Sequence, residues 1–429
     1  MEINNQNILN FGIFGKENSG KCSLNRAINL FTKELLHPKD FIFKKNKYHL
    51  FPIPCCGSDL KDNFDISIKN SDFLLITIDS TSISNIYSDI NYYFHIITIS
   101  IINGIKKLIF VLTKKIINEE IKTSEKEIDK IKKYISDIYQ NIKNKFGFKN
   151  DIIFEYALVD SLEGEGIEEL LNKFPTNFEM NNKSEKNNNN SIILGVFDKY
   201  SDKEREEFVI TCKANSENIN SYSIESIEIE KTKLNLFYID DKNFLKKQIN
   251  NLIPFKLSLA DGEYIQKLEK VENQFLSLKF KLNSFDENFQ NNVLRNCFLS
   301  LKENDENLCF FDTFEADIII TSFLNDEQLK EKAFTVMTKG CKCIFTNFNS
   351  NVECTIVGIS GEYDNNNNEL VKKKIINCKN GTFAKIIINL AHPILSTKFD
   401  NCEKFGSFCL LKEGEIFSVG KIIKYKPKK

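Results

Sequence analysis

The chain has 429 residues, 27% of them charged, with a net charge of −1 and no tryptophan. That length predicts about two to four domains, each able to bury its own core. The balanced charge excludes a global electrostatic pull onto nucleic acid, so DNA is not an expected partner. No apolar run reaches the roughly 18–20 residues of a membrane span, and the start MEINNQNILN has neither the basic cluster nor the long apolar core of a secretory leader. The expectation is a cytoplasmic protein with no membrane partner. Twelve cysteines in a chain this long fit reduced, buried thiols better than a disulfide framework. Cys55 and Cys56 are adjacent, Cys341 and Cys343 are one residue apart, and there are four histidines, so no zinc-type site is expected.

In chain order, the first informative stretch is ILNFGIFGKENSGKCSLNRAINLF, residues 8–31. It reads as a strand, a glycine loop and an amphipathic helix. The spacing Gly15-x4-Gly20-Lys21 suits a phosphate loop. Glycines let backbone N–H groups approach phosphate oxygens, the lysine reaches the outer phosphates, and the next residue supplies a hydroxyl to Mg²⁺. That next residue is Cys22, a soft ligand where a hard oxygen is needed. Ser23 follows it but is expected to point elsewhere on the first helical turn. Gly15, Asn18, Ser19, Gly20, Lys21, Cys22 and Ser23 are the candidate nucleotide-contacting residues, and the helix start favours an anion there.

The runs YHLFPIP, DFLLITID, KKLIFVLT and DIIFEYALV follow as expected strands. Between the last two lies SEKEIDKIKKYISDIYQNIKNKF. Ile128, Ile131, Ile135, Ile138 and Ile142 recur in it at helical steps, and its charges form a solvated face. Alternating strands and helices predict a parallel sheet covered on both sides, over residues 1–179. MNNKSEKNNNN is polar and low in complexity, which predicts a linker at 180–190. Beyond it, short alternating runs separated by Asn, Asp, Gly and Ser predict two β-barrels, at 191–310 and 311–429.

The closing stretch FGSFCLLKEGEIFSVGKIIKYKPKK holds Gly406, Phe408, Glu413-Gly414 and Gly420-Lys421, and VFDKYSDKE holds Asp198-Lys199-Tyr200. On these the sequence resembles the GTP-binding release factors of eukaryotes (the release factor 3 family), within the elongation factor 1-alpha class of translational GTPases. The resemblance implies a GTPase domain followed by two barrels. It also implies a role in translation termination, with the ribosome and the stop-codon-reading class-I release factor as partners. In that family the last barrel docks the partner through a Gly-Arg-Phe stretch, which here is Gly406-Ser407-Phe408. Phe408 reads equally as barrel core. The first strand starts by about residue 8, which is read as leaving out that family's N-terminal tail.

The resemblance also allows the nucleotide machinery to be audited. The family's Asp-x-x-Gly-His corresponds to Ile53, Cys56 and Gly57, and its Asn-Lys-x-Asp to Thr113, Lys114 and Ile116. Lys114 is kept, whereas the metal-holding Asp, the water-positioning His and the guanine-reading Asp are not. The third base-contacting stretch corresponds loosely to DSLEGEGIEEL, residues 160–170, and only about thirty residues separate the phosphate loop from Ile53, too few for the family's first switch. The implied protein is a pseudo-GTPase with no catalytic residue, weak or absent GTP and GDP binding, and no proper Mg²⁺ site. Three alternatives stand beside it: a divergent but active GTPase with His49 reaching the site, a ribosome-rescue GTPase-like factor, and an elongation factor 1-alpha-like protein. The basic tail KYKPKK reads as a solvated chain end or as a contact to ribosomal RNA.

Overall fold

The protein is described from a computed structural model. It describes residues 8–15, 18–32, 40–43, 46–50, 68, 71–79, 93, 96–97, 99–101, 105–113, 129–130, 132–133, 135–137, 139–140, 143, 152–176, 193–214, 227–228, 231–240, 244–259, 264–265, 267–268, 275–285, 289–290, 297–300, 307–320, 336–347, 350–363, 370–373, 376–379, 383–412 and 415–426. The expected linker at 180–190 lies outside these residues, as do Ile53, Cys55, Cys56, Gly57, Lys114 and Ile116. Contacts divide the chain into two units, Met1–Lys183 and Ser184–Lys429.

The first unit is built on a six-stranded sheet. Its strands are β1 (Ile8–Gly15), β2 (Asp40–Phe43), β3 (Asn46–Leu50), β4 (Phe73–Asp79), β5 (Lys107–Thr113) and β6 (Ile153–Val159). Their spatial order is β2-β3-β1-β4-β5-β6. β2 pairs antiparallel with β3, and every other neighbouring pair is parallel. In β5 every residue is buried, and in β4 all but the last, as a parallel strand covered on both faces requires. Helix α1 (Lys21–Thr32) lays Leu24, Ala27 and Ile28 on the sheet. The three- and four-residue steps between them place all three on one face.

Aromatic rings hold this core together. Phe73 lies 5.4 Å from Phe11 and 4.9 Å from Phe174 between ring centroids. The Tyr48 hydroxyl donates to the Pro175 carbonyl at 3.2 Å, so the buried phenol keeps a partner. Of the helical stretch expected around residue 135, the described residues are helical. Ile135 and Tyr139 face inward and Asp129, Lys130 and Lys133 face solvent.

The second unit holds two barrel domains. In the first, strands run in the spatial order Lys246–Leu252, Leu234–Ile239, Phe298–Ser300, Ile193–Asp202, Glu207–Ala214, Phe275–Lys281, Lys256–Leu259, Tyr264–Ile265. They wrap a core that includes Val196, Phe208, Ile210, Leu236, Leu278 and Phe280. The second is a closed ring of six strands. Lys342–Asn347 pairs with Ser407–Lys412, then follow Glu415–Tyr425, Cys309–Ile320, Phe383–Ser396 and Ser350–Tyr363, which pairs back onto Lys342–Asn347. Closure leaves no open edge within the ring. Phe311, Phe314, Phe345, Ile356, Ile386 and Phe408 fill it. The expected border at 310/311 falls inside the strand Cys309–Ile320. Phe237, Ile239 and Phe298 of the first barrel share a cluster with Phe310, Leu395 and Phe405 of the second, and Phe298 meets Phe405 edge to face at 5.1 Å.

One carboxylate in the closed barrel gives a pH prediction. Burial raises the Asp317 pKa, against the opposing pull of Lys421 and Lys385. A carboxyl raised in the folded state binds protons more tightly there than in the unfolded chain. Ionised Asp317 therefore costs stability at neutral pH, and the cost is relieved as pH falls through the folded pKa towards 3.8. Asp317→Asn should raise the urea midpoint at pH 7, and its advantage should vanish on acidification. A lower midpoint at pH 7 would show that the pairing with the two lysines outweighs desolvation.

Candidate phosphate-binding loop

The first strand and helix place the loop where an open α/β sheet binds its ligands. β1 lies between β3 and β4, so the chain leaves it to one side first and returns on the other. The crevice beyond the carboxyl end of such a strand is the switch point of the sheet. Gly15 closes β1, and Lys21 opens α1. Between them Asn18 has φ 62° and Gly20 has φ 89°. Both lie in the left-handed region, which glycine and asparagine tolerate best.

The loop is tied down from below by two threonines. The buried Thr77 hydroxyl of β4 donates to the Phe14 carbonyl at 3.1 Å and lies 2.6 Å from Ser19 Oγ, which therefore donates to it. Ser19 is thus turned inward and is 2% exposed. The Thr113 hydroxyl, at the end of β5, sits 3.2 Å from the carbonyl oxygens of both Ser19 and Ile78. Lys21 spans the loop, its ammonium donating to the Gly15 carbonyl at 2.7 Å. A Cβ built on Gly15 would lie 2.0 Å from Thr77 Oγ1 and 2.3 Å from Ser19 Oγ, so only glycine fits there.

This arrangement fits phosphate and does not fit a magnesium ion held by the usual residue. The buried Lys21 cation, the left-handed turn and the start of a 12-residue helix together favour an anion. At the metal position Cys22 is an exposed thiol outside any disulfide. Ser23 is exposed on the next helical position, and the inward hydroxyl of Ser19 is committed to Thr77. Gly15, Asn18, Ser19, Gly20, Lys21, Cys22 and Ser23 are therefore together in one loop and helix start. Lys114 lies outside the described residues. His49 is part of β3, its backbone in register with Asn10 and Asp40.

The stretch 160–170, expected as the third base-contacting stretch, begins at the same edge of the sheet. Asp160 follows β6, whose last residue Val159 pairs with Thr113. Its Oδ1 accepts from the Leu162 and Glu163 N–H groups at 3.0 and 3.2 Å, shaping the turn. Its Oδ2, and the Ser161 Oγ beside it, are buried without a hydrogen-bond partner. Asp160, four residues before Gly164, reads as turn chemistry, which accounts for the role of Oδ1 and not for the unpartnered Oδ2.

The stretch Gly406-Ser407-Phe408, expected as a partner-docking surface, is instead interior. Ser407 is 4% exposed and Phe408 1%. Phe408 packs on Phe345 and Phe314 at 5.0 and 5.6 Å. Gly406 lies so close to the main chain of Phe399 that a Cβ would fall 2.3 Å from its nitrogen. Glycine is needed there for close packing. The ring at 408 fills the core, because this strand faces the inside of a closed barrel at that position.

Comparison with known proteins bears on the fold and on the last domain. Residues 313–423 match the family model described as GTP-eEF1A C-terminal domain-like. No curated protein sequence matches the chain. Translation elongation factor SelB from Methanococcus maripaludis is a similar solved structure, with 16% identity and TM-scores of 0.62 in its apo form and 0.63 in complex with the GTP analogue GppNHp. Each alignment covers 98% of this chain and 80% of the SelB chain. Sup35 complexed with GDP aligns over 98% of this chain and 95% of its own, at 14% identity and a TM-score of 0.42. The likeness to SelB is one of fold: a parallel-sheet domain followed by β-barrels.

Proposed function

We propose that this chain is a translation factor of the release factor 3 type with a degenerate nucleotide domain. It would escort the stop-codon-reading class-I release factor to the ribosome in the cytoplasm, without a working GTP switch. The observation that carries the reading is Cys22: an exposed thiol at the metal position of a loop that otherwise keeps its phosphate-favouring lysine and turn. Phosphoryl transfer is catalysed mostly by positioning and by neutralising charge, with Mg²⁺ central to both. The loop would hold a phosphate and leave its charge without that ion. The domain match at residues 313–423 and the SelB-like fold support a translation-factor setting.

A second reading, a divergent factor that still binds a nucleotide, is favoured by the unpartnered Asp160 Oδ2 and Ser161 Oγ. Buried polar atoms without partners are costly, and a ligand with N–H donors would satisfy them.

One set of measurements separates these readings. The full-length protein with Mg²⁺ and ribosomes should show no hydrolysis of GTP above the ribosome background. Calorimetric titration should give similar, weak affinities for guanine and adenine nucleotides, since Ile116 offers no acceptor to a base. Guanine-selective, sub-micromolar binding would establish the second reading. Pull-down of the purified class-I release factor should succeed with and without GTP. Capture of the ribosome-rescue partner in its place would move the protein to ribosome rescue.

A further inference from the structure

We propose that Cys343 and Cys354 form a site of oxidative modification, a dithiol that closes to a disulfide across one hairpin of the C-terminal barrel. The two residues lie directly opposite each other on antiparallel strands Lys342–Asn347 and Ser350–Tyr363. Their sulfurs are 3.3 Å apart. Both thiols are free and buried. Opposed residues of an antiparallel pair already bring their Cβ atoms to about 4.5–5.5 Å, close to the roughly 3.5–4.5 Å of a disulfide. The sulfurs therefore need to approach by little more than an ångström.

The place of the pair gives the bond its consequence. These two strands are neighbours in the six-stranded ring, joined by a short hairpin turn. A disulfide there would fasten this pair of the ring covalently. It would enclose only the short hairpin between the two cysteines, so little of the native geometry has to change.

The surroundings set how readily it forms. Cys343 is held above the usual thiol range, first by its hydrogen bond with Cys354 and then by burial, while Lys412 nearby acts in the opposite sense. Little thiolate is present at neutral pH, so oxidation is slow and calls for sustained oxidant. Cys343, 7% exposed against 3% for Cys354, is the sulfur that meets oxidant first.

With a hydroperoxide as oxidant, the Cys343 thiolate attacks one peroxide oxygen and the O–O bond breaks. Cys343 becomes a sulfenic acid, and the departing hydroxide takes up the thiol proton as water. The Cys354 sulfur then attacks the Cys343 sulfur. The S–S bond forms, the S–O bond breaks, and the hydroxyl leaves with the Cys354 proton as a second water. Two thiols lose two electrons and two protons, and one hydrogen peroxide becomes two waters.

The test uses the full-length protein incubated with excess hydrogen peroxide, then denatured, alkylated and mapped by mass spectrometry. The expected product is one intramolecular link between the peptides carrying Cys343 and Cys354, with the mass lowered by two hydrogens and restored by dithiothreitol. The thermal midpoint of the oxidised protein should rise by about 5 °C over the reduced form. Cys354→Ala should abolish both changes. The proposal is overturned if both cysteines stay separately alkylatable, if Cys343 links to the neighbouring Cys341, or if the link joins two chains. Because the decisive measurement is made on the unsubstituted protein, a poorly folding variant does not rescue it.

Discussion

Ser407→Glu should unfold the C-terminal barrel. Ser407 is 4% exposed, stands opposite Lys421 in the ladder, and is flanked by Gly406 and the core ring of Phe408. Glutamate adds three heavy atoms and a charge to this site. Overpacking alone costs about 1–3 kcal/mol, and taking a carboxylate out of water costs several kcal/mol more unless it is fully paired. Lys421 is the nearest cation in register, but it already offsets part of the burial of Asp317. A second carboxylate would have to share it. Against a typical net stability of about 5–15 kcal/mol, the sum is large enough to remove the cooperative unfolding transition. Ser407→Ala, which removes only the hydroxyl, should shift the urea midpoint far less. A Ser407→Glu protein with an unchanged midpoint would put the residue at the surface and restore the stretch 406–408 as a docking candidate.

The contrast between Ser407 and the loop shows what a sequence can disclose. Around β1 the signals are local and agree: a buried run ends in glycine, a turn residue in the left-handed region follows, and a helical pattern begins with lysine. Strand, turn and helix each have their own period or residue preference, so the order was readable. The same holds for KKLIFVLT, which became β5. Facing is another matter. Alternation says that Ser407 and Phe408 point opposite ways on an ideal strand, yet both are buried. One lies inside a closed ring. The other is covered where the chain Lys398–Gly406 folds back over the strand ends, with Phe399 donating to the Ile422 carbonyl at 2.9 Å. Closure and cover are long-range facts with no local signature. The hairpin of β2 and β3 was missed for a related reason. DFIF and NKYHL are separated by two residues, and without an Asn-Gly-type pair they give no hairpin signal. Thr77 was invisible as part of the site because its partner Ser19 is 58 residues away in sequence, whereas Thr113, which the resemblance places in the site, bonds the Ser19 carbonyl 94 residues away.

Gly15→Ala should destabilise the N-terminal unit and remove whatever phosphate affinity the loop has. The new methyl would fall 2.0 Å from Thr77 Oγ1, 2.3 Å from Ser19 Oγ and 2.8 Å from the Thr77 carbonyl oxygen. The hydroxyls could rotate away only by giving up their mutual hydrogen bond and the Thr77 bond to Phe14. The carbonyl cannot, because it belongs to β4, a central strand buried on both faces and paired residue by residue with β1 and β5. Strain of this kind costs about 1–3 kcal/mol, and the lost hydrogen bonds add about 1 kcal/mol each. Gly164→Ala is the matched control. Its φ is also positive, at 79°, but nothing lies within 4 Å of the added carbon, so it should cost only the roughly 1–2 kcal/mol of a left-handed alanine. Thermal unfolding followed in the full chain should rank Gly15→Ala below Gly164→Ala. Adding Thr77→Ala should recover part of the difference by clearing the first contact. The carbonyl at 2.8 Å should keep the recovery incomplete. Equal midpoints for the two glycine variants would mean that β1 and β4 can separate at the loop. The phosphate cradle would then lack the rigid floor on which its proposed role depends.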